Sequence, residues 1–124
     1  MQRSAPPGRF DRTRFLRLIE LVGPGMVPVL LTQLAADLGN CDSRLSRGAA
    51  TGDWALLRET SHDLAALAGS CGALALQDLT QDLNAAAHAR DPAATQRLAP
   101  AIAAELAALL ALIRATPPEG PLPW

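Results

Sequence analysis

Residues 61–72 read Ser61-His62-Asp63-Leu64-Ala65-Ala66-Leu67-Ala68-Gly69-Ser70-Cys71-Gly72, and the fold turns on how this stretch is phased. Extended back to Trp54, the positions Trp54, Leu57, Leu64, Ala68 and Cys71, with Ser61 in register, recur at steps of three and four. That spacing is one buried stripe of an α-helix. At about 100° per residue, His62 points roughly 130° away from the centre of the stripe. Its neighbours at helical spacing are Arg58, Glu59, Ala65, Ala66 and Gly69. A lone histidine on an amphipathic helix is usually a solvated surface residue. Here Ala65, Ala66 and Gly69 lack the long polar side chains of an ordinary exposed face, so a partner's backbone can approach the ring. Ala55, Ala65, Ala66 and Gly69 are the expected docking surface, with His62 as the nucleophile within it.

The chain has 124 residues, a formal net charge of -1 and 49% hydrophobic residues, which suits a single compact domain with a real core. Aromatics make up 3% and tyrosine is absent, so the core must be Leu and Ala, a composition of high helix propensity. All 11 basic residues are arginine. The balanced charge and the lack of interleaved aromatics exclude the basic, stacking surface that nucleic acid needs. Cys41 and Cys71 fall at apolar helix positions, as small buried hydrophobes, without disulfide or zinc spacing. The first nine residues hold no apolar run of a signal peptide, and no stretch of about 18 uncharged apolar residues occurs. The expected protein is cytoplasmic, with no membrane partner.

Outward from the histidine helix, the pattern predicts an all-α fold. Residues 1–9, with Pro6, Pro7 and Gly8, read as a flexible lead-in. Asp11 to Val22 form a short amphipathic helix on Phe15, Leu18 and Val22, stopped by Gly23. Pro24 starts a longer one carried by Val27, Leu30, Leu31, Leu34, Leu38, Cys41 and Leu45 and ending between Gly48 and Gly52. Asp53 or Thr51 caps the histidine helix, and Gly72 ends it in a left-handed conformation. A fourth helix follows on Leu76, Leu79, Leu83 and Ala86 or Ala87. Asp91 and Pro92 then open the last one, through Leu98, Ile102, Leu106, Leu109 and Ile113 to about Ala115. Pro100 within it predicts a kink or a helix start, because an interior proline costs about 3 kcal/mol. The expected architecture is an antiparallel up-and-down four-helix bundle with a short additional N-terminal helix across one end, occupying residues 10–115. Residues 116–124, with four prolines, read as a tail.

The pattern His62, Leu64, Gly72, Ala73, Leu76, Leu79, Leu83, preceded by Gly52-Asp53-Trp54 and by Leu57 and Arg58, resembles the histidine-containing phosphotransfer (HPt) domain of bacterial two-component phosphorelays. The resemblance spans about residues 11–115. It implies a stand-alone phosphocarrier that takes a phosphoryl group on His62 from the aspartyl phosphate of a receiver domain, or from a hybrid histidine kinase, and passes it to another. Two positions depart from the family motif His-x-Leu-Lys-Gly: Ala65 stands where the lysine would be and Ala66 where the glycine would be. Ala66 keeps the surface low. Ala65 removes a positive charge beside the phosphoryl group, which opens the alternative of a docking module that binds receivers without chemistry.

Arg58, one turn before His62, is the cation on that face that could take the lysine's place, or it is an ordinary solvated arginine, paired with Glu59 or left free. The ring needs one nitrogen held by a hydrogen bond so that the other can react. Glu59 on the same helix and Asn84 on the next are the two candidates. Asp63, adjacent in sequence, diverges from His62 around the helix and forms no metal pair with it. His88 has no ligand-like partners. The resemblance assigns magnesium and most catalytic groups to the receiver partner, so no metal or cofactor is expected on this chain. It is expected to be a monomer and a transfer intermediate rather than an autonomous enzyme, since no nucleotide-binding glycine loop and no Ser-His-Asp or Cys-His constellation is present.

Overall fold

The structure, a computed structural model, describes residues 7–118. Among these the chain is all-helical. Five α-helices follow in order: α1 (Arg12–Val22), α2 (Val27–Thr51), α3 (Trp54–Cys71), α4 (Leu74–His88) and α5 (Pro92–Ala115), with a single 3-10 turn at Pro24–Met26 before α2.

Short polar side chains and glycines set the helix ends. Asp11, Asp53 and Asp91 each sit in extended conformation at an N-cap and accept a hydrogen bond from the amide three residues on, at Arg14, Leu56 and Ala94. Of the two cap candidates for α3, Asp53 is therefore the one used; Thr51 donates its hydroxyl to the Arg47 carbonyl instead. Gly52 and Gly72 close α2 and α3 with left-handed φ of 66° and 80°. The predicted start of the second helix at Pro24 is corrected by three residues. Pro24 begins the 3-10 turn, and Pro28 occupies the first turn of α2. The axis bends by 100° across Gly23.

Helix α2 packs on α3 and α5, and α4 packs on α3 and α5, so the four long helices are neighbours in a ring around one core. That core is the predicted Leu and Ala stripe: Leu38, Leu57, Leu64, Leu76, Leu83, Ile102, Leu106 and Leu109 are essentially inaccessible, each contributing about 1.5–3 kcal/mol by leaving water. Helix α1 lies on α2 and α3, anchored by the fully buried Phe15. Helix α5 is long and apolar enough, by length and composition, to cross a bilayer. Its apolar side is buried in this core, and Glu105 interrupts its sequence.

Three expectations change. Residues 7–9 are tied down rather than loose. The Gly8 amide donates to Glu105, the Arg9 side chain pairs with Asp78, and the Arg9 carbonyl accepts from the amides of Leu74 and Ala75. An isolated antiparallel bridge then joins Phe10 to Ala73. The first amides of α4 have no acceptor within their own helix, and a lead-in carbonyl can satisfy them, which local sequence does not reveal. Pro100 does not start a helix; α5 begins at Pro92 and runs through it, with Pro100 on the exposed side. Thr116 is buried, and its hydroxyl donates to the Leu112 carbonyl, so the C-terminal segment leaves the fold one residue later than expected. Residues 1–6 of the expected lead-in and 119–124 of the expected tail lie outside the described residues.

Candidate functional site

Helix α3 carries His62 in its middle, on the side away from the core. Leu57, Thr60, Ser61, Leu64, Ala68 and Cys71 face inward, while His62 is exposed. Ala55 and Ala66 are exposed with it, and Ala65 is half-buried. Gly69, expected on the same open face, is buried. The side chain of Gln77 from α4 lies over it, at 2.5 Å from where a Cβ would stand, and the Arg14 guanidinium donates to its carbonyl at 3.1 Å. The missing side chain there lets α4 and α1 approach α3, so the low surface around His62 consists of Ala55, Ala65 and Ala66 without Gly69.

The polar groups on the α4 side form a closed set that excludes the ring. Asn84 Nδ2 donates to the Arg58 carbonyl at 3.2 Å and to Ser61 Oγ at 3.1 Å. Ser61 Oγ in turn donates to the Arg58 carbonyl at 3.0 Å. The Asn84 amide nitrogen is thus engaged on Arg58 and Ser61 of α3. Asn84 joins α3 to α4 rather than holding the imidazole, a correction to the expected role. Glu59 is exposed, and neither it nor Asn84 makes a hydrogen bond to His62. Arg58 is half-buried, and its guanidinium has no hydrogen-bond or ion-pair partner among the described residues, so the pairing with Glu59 does not form.

On the opposite side His62 borders a groove of about 390 Å³ between α2 and α3, lined by Asp37, Asn40, Cys41, Arg44, Asp63, Ala66 and Leu67. Arg44 of α2 reaches across it, Nη1 standing 3.1 Å from Asp63 Oδ2. Asp37 accepts from Gln33 Nε2 at 2.8 Å. Cys41 closes the floor of the groove. Burial pushes its thiol pKa up, and the Arg44 guanidinium partly offsets this. Arg44 is the site residue that sequence reading missed. It lies 18 positions before the histidine, and only the register of α2 against α3 brings the two to one groove.

No group of three or more His, Cys, Asp or Glu side chains that could hold a metal ion occurs among the described residues. His88 ends α4, exposed. What the arrangement offers chemically is a solvent-facing imidazole on a rigid helix, small residues on one side of it and an ion pair on the other. No family model matches the chain, and neither a curated protein nor a solved structure matches it.

Proposed function

We propose that this chain is a phosphocarrier of the HPt type, with α2–α5 as an antiparallel up-and-down bundle, α1 across one end, and His62 as the phosphoryl acceptor. The single observation that carries the reading is His62 itself, exposed in the middle of a helix that is buried behind it and flanked by Ala65 and Ala66. The connections of two or three residues between consecutive long helices support the topology, since links this short bring the next helix back alongside the last.

In the proposed reaction a lone pair of an imidazole nitrogen attacks the phosphorus of a receiver's aspartyl phosphate. An N–P bond forms, the P–O bond to the acyl oxygen breaks, and the aspartate leaves as a carboxylate. Phosphoryl transfer passes through a loose transition state, so the carrier needs to align its nitrogen and tolerate close approach more than it needs acid–base groups of its own. A neutral imidazole carries one ring nitrogen with a free lone pair. Ala55, Ala65 and Ala66 let the receiver come close. The reading implies a cytoplasmic monomer whose partners are receiver domains or a hybrid histidine kinase, and which supplies no metal or cofactor itself.

One observation favours a second reading. Ala65 provides no charge beside the ring, and a docking module that binds receivers without transfer would have no use for one. The two separate in one experiment, in which purified protein is incubated with phosphorylated receiver domains and scored for acid-labile, base-stable phosphate, on the wild type and on His62→Gln. The carrier predicts label on the wild type alone, with identical helical circular dichroism for both proteins because the replaced side chain is exposed. Tight binding of a receiver without label would establish the docking module.

A further inference from the structure

The residues lining the groove beside His62 carry an uneven charge. Asp37 and Asp63 are acidic, and Arg44 is the cation among them. A phosphoryl group on His62 would add about -1.5 to -2 charges at the rim of this groove. Without a positive group to meet it, the two carboxylates would repel it. Arg44 is built for that meeting. Its side chain is 22% exposed, so the packing of α2 against α3 limits where it can go, whereas Asp63 is 52% exposed and can turn into solvent. A guanidinium presents five donors in a planar fork, so one edge can rest on a carboxylate while another turns to phosphoryl oxygens. Arg58, by contrast, lies on the α4 side of the histidine, its carbonyl in the Asn84 and Ser61 set, and it does not line the groove.

We propose that Arg44 is the catalytic cation of this site, binding the phosphoryl oxygens on His62 in place of the charge that Ala65 lacks, with Asp63 holding the guanidinium in waiting until the phosphoryl group arrives. The proposal rests on the phosphocarrier reading. It differs from it in placing the positive charge on a neighbouring helix, across a groove, rather than on the histidine helix.

The test uses the full chain and potassium phosphoramidate as donor. Here a His62 nitrogen forms the N–P bond, the bond from phosphorus to the donor nitrogen breaks, and the departing ammonia takes the proton shed by the other ring nitrogen, leaving as ammonium. Labelling is followed by phosphorus NMR on the wild type, His62→Gln, Arg44→Ala and Arg47→Ala, the last removing an exposed arginine from the same helix. The expected result is labelling of Arg44→Ala about tenfold slower or more, the size of a lost charge-assisted hydrogen bond. Its phosphohistidine resonance should also be displaced from that of the wild type, because a guanidinium on the phosphoryl oxygens changes their environment. Arg47→Ala should match the wild type in both. Either an unchanged rate or an unchanged resonance in Arg44→Ala overturns the proposal and leaves the carrier reading standing. A wild type that takes no more label than His62→Gln overturns both. If Arg44→Ala loses helicity, Arg44→Gln takes its place with the same two readings.

Discussion

Gly72 has two reasons to be glycine, and they are separable. It closes α3 at φ 80°, in the left-handed region where a side chain costs about 1–2 kcal/mol. It also packs so tightly that a Cβ would run into the main-chain carbonyl of Asp11, whose own amide donates to the Gly72 carbonyl at 2.7 Å. Backbone cannot swing aside as a flexible side chain can. Gly72→Ala should therefore lose more than the left-handed cost alone, roughly 2 kcal/mol or more, read as a lower urea midpoint. A loss under 1 kcal/mol would mean that the carbonyl moves freely. Gly69 has neither constraint to the same degree, since its neighbour is the end of the Gln77 side chain.

At the scale of the helices, most of what was legible in the sequence was local. The stops at Gly23 and Gly72 and the cap at Asp91 depend on residues within one turn of each end and stand where the pattern put them, while the end of α2 at Gly52 and the cap at Asp53 fall among the alternatives it offered. Less legible were features set by a second element. Gly69 looked open because nothing in its own helix says that Gln77 will lie over it. Arg44 went unnoticed because its partner, Asp63, is on another helix. Arg90 takes a left-handed φ of 52° between α4 and α5 without being a glycine, so no local signal marks it. The interior proline is the other case. Proline at position 100 predicts a kink or a helix start; the start lies at Pro92 instead, and α5 continues through Pro100, which is exposed. The lost backbone hydrogen bond remains a cost, so Pro100→Ala should restore it and raise stability by about 2 kcal/mol after subtracting the unfolded-state entropy that proline removes. Equilibrium urea unfolding checks this as a higher midpoint at an unchanged slope.

For the whole molecule, the composition sets up an unusually simple alkaline titration. The chain has no lysine and no tyrosine, and arginine keeps its charge throughout, so apart from the terminal amine only the two thiols titrate above neutrality. Burial pushes the Cys71 thiol up to about 12, from an ordinary value of 9.0. A group whose folded pKa lies above its unfolded one gives stability that is whole below the unfolded value and lost as pH rises toward the folded value. Stability should thus fall between about pH 9 and 12, with a slope of up to about 1.4 kcal/mol per pH unit from this group. Urea unfolding under reducing conditions at pH 7, 9.5 and 11 should show the wild type declining more steeply than Cys71→Ala, which starts lower because of the cavity it leaves. Equal slopes would assign the decline elsewhere.

The tie between the N-terminal segment and the α3–α4 corner also has a consequence for the order in which the protein assembles. Helices α2 to α5 pair largely with their neighbours in sequence, and such short loops close cheaply and early. Residues 9–15 instead find their partners about 60 positions downstream, at Gly72, Leu74 and Ala75. On a ribosome this segment emerges well before the corner it completes. The segment made earlier docks on a corner made later, so its Phe10 and Phe15 must wait unburied while the helix bearing His62 is still being synthesised.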